Sequence, residues 1–369
     1  ITTGGSNVMV GANAGDAITT SAYNVAIGRN ALGQHTTGSR NIAIGYGSMD
    51  GTAGDADDAP ASIDNIFIGY DAGGGNWEDD EDSNYNVGIG NYVMDAAMDG
   101  AVNNAALGHS ALSALTTGDG NTAIGYQSMT AATTAGYNTA IGYRALYSLQ
   151  STAGNTAVGV GAMNDATTAT ECTAIGENAG YNTTIGRYNT SLGYQALFTD
   201  EVGDYSTAVG YKALYSQTSD SDNEHTNNVA MGRESGYYNV TGTQNTYIGS
   251  EAGKGASGQS NSSNTGVGYQ AGTALTTGST NTLLGSGAAD ALTTGDSNVA
   301  IGFGASGSMA VGESNNVSVG YRAFGLMDEG TAGGDIDGNV AIGYQALYGG
   351  DLAGNDRQIQ GNIAIGMYA

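Results

Sequence analysis

A five-residue element, Asn followed by a β-branched, a small and an aliphatic residue and then Gly, recurs twenty times along the 369 residues. It leaves few folds open. Its final glycine stands at Gly11, Gly28, Gly45, Gly69, Gly90, Gly108, Gly125, Gly142, Gly159, Gly176, Gly193, Gly210, Gly232, Gly249, Gly268, Gly285, Gly302, Gly320, Gly343 and Gly366. Of the nineteen intervals, eleven are 17 residues, and the rest run from 18 to 24. Seventeen residues are therefore a minimum unit that accepts insertions and no deletions. Self-similarity at such a period marks a stacked repeat architecture, in which no single unit can bury its own apolar face.

The columns within the repeat define its local structure. Four residues before the glycine, eighteen copies carry Asn, the exceptions being Cys172 and Ser206; three before it, all but Ala105 are Val, Ile or Thr. One before it every copy is aliphatic, counting Met231, and between these two positions sixteen copies carry Ala, Gly or Ser. Such alternation is the period-two signature of a strand whose two faces pack differently. The glycine marks a corner, either through a backbone conformation closed to other residues or through a close approach that a Cβ would block. A second short strand is expected where Tyr-x-Ala-Leu recurs, as in Tyr143 to Leu146 and Tyr211 to Leu214, with Thr-Thr-Gly turns leading to the next Asn.

Stacking these units predicts an all-β, 17-residue-repeat β-solenoid or β-roll, a single continuous repeat domain over 1–369, with rungs about 4.8 Å apart and a length on the order of 90 Å. Asn121, Asn138 and Asn155 are expected to form an amide ladder. Ile124, Ile141 and Val158 form the aliphatic ladder, and Gly125, Gly142 and Gly159 the corners. Only four phenylalanines and one tryptophan accompany 63 glycines, so the core must be thin. Helix is disfavoured by the glycine and β-branched content. The small-residue column is expected to let neighbouring chains approach closely, and association in a parallel homotrimer would add the burial that a lone coil lacks.

Formal net charge is −26 with nine basic residues, which argues against nucleic acid as a partner. No window approaches the ~20 apolar residues of a bilayer span, so membrane insertion is not expected. A single cysteine, Cys172, excludes an intramolecular disulfide. The chain starts at Ile1 without a signal-type segment and stops in mid-repeat, and is read as a piece of a longer or processed protein.

Asn121 to Gly159, NTAIGYQSMTAATTAGYNTAIGYRALYSLQSTAGNTAVG, resembles the NTAVGYQALYSNTTG-type repeats of phage tail-fibre-like proteins and trimeric autotransporter adhesins. It is similar more distantly to the AIG-containing coils of YadA-like adhesin heads. The resemblance covers essentially the whole chain. It implies a homotrimer of parallel β-rolls, displayed outside the cell on a virion, an injection machine or a bacterial surface, that binds a cell-surface receptor or glycan.

Acidic residues concentrate in insertions at 46–64, 71–85, 215–227, 325–338 and 348–361. Asp55, Asp57 and Asp58, with Asp335 and Asp337, are candidate Ca²⁺ ligands through hard oxygens, although none matches a full calcium-loop spacing. No other cofactor is expected. The alternative is solvated charge that keeps a β-rich rod from lateral sheet growth. Trp77, beside Glu78, Asp79 and Asp80, is the candidate exposed receptor contact. His35, His109 and His225 read as surface residues, and no recurring nucleophile or carboxylate accompanies them, so an enzyme is not expected. Two other functions compete: an ice-binding solenoid, from the Thr pairs at Thr2 and Thr3, Thr19 and Thr20, and Thr36 and Thr37; and, more remotely, a polysaccharide-processing β-helix, which needs convergent carboxylates.

Overall fold

The computed structural model describes residues 4–51, 61–77, 82–219, 221, 225–325, 336–349 and 359–369. It is an all-β parallel solenoid, divided into two compact units, Ile1–Ile185 and Gly186–Ala369. The first unit stacks the strands Val8–Val10, Val25–Ile27, Ile42–Ile44, Ile66–Ile68, Val87–Ile89, Ala105–Leu107, Thr122–Ile124, Thr139–Ile141, Thr156–Val158 and Thr173–Ile175. The second stacks Thr190–Leu192, Thr207–Val209, Val229–Met231, Thr246–Ile248, Thr265–Val267, Thr282–Leu284, Val299–Ile301, Val317–Val319, Val340–Ile342 and Ile363–Ile365. Within each unit every strand pairs in parallel and in register with the next, Thr122 on Thr139 and Ile124 on Ile141 for example. A short second pair, Ile336–Asp337 with Ile359–Gln360, flanks the last coils.

Among the described residues that pair is the only second strand, and every other repeat contributes one. Tyr-x-Ala-Leu is a turn-rich segment, in which Arg144 and Leu146 take φ of 53° and 50°. The expected second strand fails for a simple reason: Ala145 and Leu146 are adjacent and both fully buried, whereas neighbours in a strand point to opposite sides. A left-handed residue between extended ones turns both side chains inward. The segment still stacks, since Leu146 N–H donates to Ala162 O at 3.0 Å and Met129 N–H to Ala145 O at 3.0 Å.

The core lies between strand and turn. The middle strand residue points inward, so the small column is interior: Ala26, Ala43, Ala123, Ala140 and Ala157 are all fully buried. This corrects the expectation that the small residues mediate contact between chains. The leucine or methionine of the turn reaches across the coil and leaves room for no more than a methyl opposite. Where the turn carries glycine instead, the strand residue grows in three coils, at Met9, Phe67 and Tyr247, and stays small in three others, at Ala174, Ala230 and Gly266. Phe67 fills the space above Gly73, and Tyr247 that above Gly253, where an added Cβ would fall 2.9 Å and 2.2 Å from the respective rings. Where both positions are small, neighbouring coils fill the space, with Leu214 and Tyr247 beside Gly236 and Leu283 beside Gly272, so volume is balanced across adjacent coils as close packing demands.

Two hydrogen-bond devices hold the corners. Asn138 N–H and Nδ2 both donate to Asn121 Oδ1, at 3.1 and 3.2 Å, and Nδ2 also donates to the turn carbonyl of Thr152 at 2.8 Å. Asn155 repeats the pattern on Asn138, and Cys172 N–H on Asn155 Oδ1, so the cysteine keeps the backbone half of the ladder. The column glycines take φ between 128° and 147°, and an added Cβ on Gly125, Gly142 or Gly159 would fall 2.3 to 2.4 Å from the next glycine's carbonyl oxygen. Both proposed reasons for glycine apply at once.

Candidate functional site

With alanine inside, the flanking strand positions face outward. Ile27, Ile89, Leu107, Ile124, Ile141 and Ile175 in the first unit are each more than a third exposed, as are Leu192, Met231, Ile248, Leu284 and Ile342 in the second. Ten rungs about 4.8 Å apart make, in each unit, a stripe with one column aliphatic on every coil and a second that mixes Thr with Val, Ile and Ala. Contiguous exposed apolar side chains of this kind are often tied to function.

Beside this stripe, past the corner glycine, runs a ladder of rings. Tyr126 and Tyr143 stack at 5.5 Å with planes 8° apart, and His109 joins them at 5.5 Å from Tyr126. Tyr46 and Tyr70 stack at 5.1 Å, Tyr194 and Tyr211 at 5.4 Å, and Phe303 and Tyr321 at 5.4 Å. A second ladder on the turn joins Phe198, Tyr215 and Tyr237 at 5.2 and 5.0 Å. Cations lie over these rings, with Arg144 Cζ 4.8 Å from the Tyr147 centroid and Lys212 Nζ 5.0 Å from that of Tyr215. The rings pack on neighbouring coils and keep one edge in water, the compromise that suits tyrosine.

The candidate contacts fare differently. Trp77 is 1% exposed and meets Phe67 edge-on at 5.9 Å, so it belongs to the core and not to an exposed contact surface. Its neighbours Glu78, Asp79 and Asp80, and the candidate calcium ligands Asp55, Asp57, Asp58 and Asp335, lie outside the described residues. Asp337 lies within them, and its Oδ1 accepts the Ser314 N–H at 2.6 Å. The same position, two residues before the Asn column, does this elsewhere: Asp119 accepts from Val102 N–H and Asp296 from Ser279 N–H. Asp337 therefore caps a backbone amide of the preceding coil. Among the described residues no group of three or more His, Cys, Asp or Glu is placed to hold a metal ion. Thr2 and Thr3 lie outside the described residues, and Thr19 Oγ1 donates to Thr36 O at 3.2 Å along the stack.

His35 corrects the surface reading of the histidines. It is fully buried, with Nε2 3.3 Å from Asn41 Nδ2. A buried polar cluster went unnoticed in the sequence. Where Ser206 replaces the ladder Asn, Gln217 reaches in from the turn, and its Oε1 accepts from Asn228 Nδ2 at 2.9 Å while its Nε2 donates to Asp200 Oδ2 at 2.6 Å. Asp200 also accepts from Ser219 Oγ and Gly203 N–H. Burial pushes its carboxyl above the usual carboxylate range, partly offset by these bonds. The signal was present in the sequence as two polar residues, 17 apart, in a column that holds Leu115 and Leu149 elsewhere.

No known family model matches the chain, and no curated protein matches it.

Proposed function

We propose that the chain is the shaft of an extracellular homotrimeric fibre, of the phage-tail-fibre or trimeric-adhesin kind, that carries receptor-binding surface along its length. The exposed aliphatic stripe is the observation that supports this reading. An open monomer would leave the larger strand side chains in water on most coils while burying the smaller, an arrangement that favours association through the strand face. Resemblance to the NTAVGYQAL-type repeats supplies the threefold state, the external location and the receptor. The reading assigns the chain no catalytic role. The acidic insertions add negative charge, which opposes unregulated lateral growth of a sheet.

Light scattering tests the association directly. The wild type should show about three times the 36.9 kDa of one chain, and Ile124→Lys with Ile141→Lys should shift the mass toward one chain while the coil fold, read by circular dichroism, persists. A wild-type mass of one chain ends the trimer.

A further inference from the structure

The ring ladder of the second unit has one gap that is a single coil wide. At the position after the corner glycine, successive coils carry Tyr269, Ser286, Phe303 and Tyr321. Elsewhere among the described residues, missing rings either fall in adjacent coils, as at Val160 with Glu177 and Arg233 with Ser250, or are replaced by the next residue, as Tyr92 does beside Asn91. Only at Ser286 does a single ring-free coil lie between two ring-bearing ones. Tyr269 and Phe303 are two rungs apart, roughly 10 Å at the strand spacing. A ring placed midway would lie about 5 Å from each, the spacing at which Phe303 stacks on Tyr321.

The gap is deepened by neighbouring substitutions. The next position, held by Gln127 and Arg144 elsewhere, is Gly287 and then Gly304, and the turn position that carries Tyr215 elsewhere is Gly307 and then Gly325. Together they open a cleft of about 490 Å³, within the ~300–1,000 Å³ of small-molecule sites. Its walls are polar at defined points. The Asp290 carboxylate sits between Gly287 and Gly307, where added Cβ atoms would fall 3.4 and 3.3 Å from its oxygens. Arg322, beside Gly304, lines the cleft together with Gln270 and Ser308. Ser308 Oγ donates to Gly325 O at 2.7 Å, and its lone pairs stay free to accept. No ion pair joins Asp290 and Arg322 among the described residues.

We infer that this cleft binds one pyranose ring of a neutral saccharide, seated in the missing rung between Tyr269 and Phe303 with its hydroxyls on Asp290 and Arg322. The C–H face of a pyranose meets the negative face of an aromatic ring favourably. A carboxylate accepts from two adjacent hydroxyls while a guanidinium donates to ring and hydroxyl oxygens. A planar aromatic ligand would fill the slot but make no use of these groups. The chain's charge of −26 disfavours an anionic sugar. The inference rests on the reading of the chain as a receptor-binding fibre and names the class of receptor group.

Saturation-transfer NMR with methyl glycosides of glucose, galactose, mannose and N-acetylglucosamine tests it on the full chain. At least one should bind, with transfer concentrated on ring C–H protons and a Kd on the order of 1 mM. Ser286→Tyr restores the missing rung and should weaken binding at least about tenfold, as should Asp290→Ala, while Ser250→Tyr, at another ring-free rung, leaves it unchanged. Ser286→Tyr should also raise the unfolding midpoint, which separates a filled cleft from a misfolded variant. No binding by any of the four glycosides up to about 20 mM, or binding that survives in a folded Ser286→Tyr protein, overturns the inference. Mass is read on the same samples: a trimer without sugar binding removes the cleft alone, and a monomer that binds sugar removes the fibre alone.

Discussion

Replacing Gly142 by Ala isolates what the corner column does. Its φ of 141° lies where side-chain-bearing residues are strained, a cost of ~1–3 kcal/mol. A Cβ there would also fall 2.3 Å from Gly159 O, which is backbone and cannot rotate away. Relief requires the coils to part by on the order of 1 Å, which stretches the ladder bonds Gly159 N–H to Ile141 O (2.8 Å) and Gly161 N–H to Tyr143 O (2.9 Å). At ~1 kcal/mol net for each bond, the total is roughly 3–5 kcal/mol. Stacked repeats respond locally, so global melting is a blunt readout. Native-state hydrogen exchange at Thr139, Gly159 and Gly161 should instead show protection falling by that amount in the affected coils. Two controls separate the causes. Gly258 has φ 76° with nothing within 4 Å of an added Cβ, so Gly258→Ala carries the conformational cost alone, about 1–2 kcal/mol. Gly5 has open space and no left-handed φ, so Gly5→Ala should change stability by less than ~0.5 kcal/mol. Equal losses in the Gly142 and Gly258 variants would refute the close-approach argument.

Asn138→Ala removes the acceptor for both Asn155 donors and strands the Thr152 carbonyl. A loss of roughly 2–5 kcal/mol is expected from two stranded buried groups, measured by exchange in the flanking coils. Phe67→Ala leaves a cavity beside Gly73 and Gly88 and should cost ~3–5 kcal/mol. Adding Gly73→Leu rebuilds the arrangement of the Ala140 and Leu146 coil, so the double variant should recover much of that loss, whereas additive losses in chemical denaturation would reject the volume-exchange account. The raised pKa of Asp200 has a defined sign. Above the unfolded carboxyl pKa of ~3.9 the folded state holds its proton longer, so this residue makes stability fall as pH rises until the folded pKa is passed. Asp200→Asn should flatten that dependence in melts between acid and neutral pH, and an unchanged slope would show that the residue carries none of it.

The period, the insertions and the two ladders could be read from the chain because stacking forces chemically identical groups onto one line. An amide ladder calls for Asn in nearly every coil, and a backbone close approach needs Gly in every coil, so each constraint is written as a column. Period-two alternation likewise announces two unlike strand faces. It is silent on which face is inside. That choice depends on what the opposite wall contributes: Leu146 and Met129 fill the coil from the turn, so only Ala140 and Ala123 fit beside them and the isoleucines are left outside. The same three-dimensional accounting buries Trp77 against Phe67 and draws His35 into the core, although each stands in a stretch of polar or acidic sequence. Adjacent inward residues such as Ala145 and Leu146 depend on left-handed backbone at non-glycine positions, which no residue preference announces. The vacancy between Tyr269 and Phe303 is visible only when rungs 17 residues apart are laid on one another, because its walls come from several separate coils.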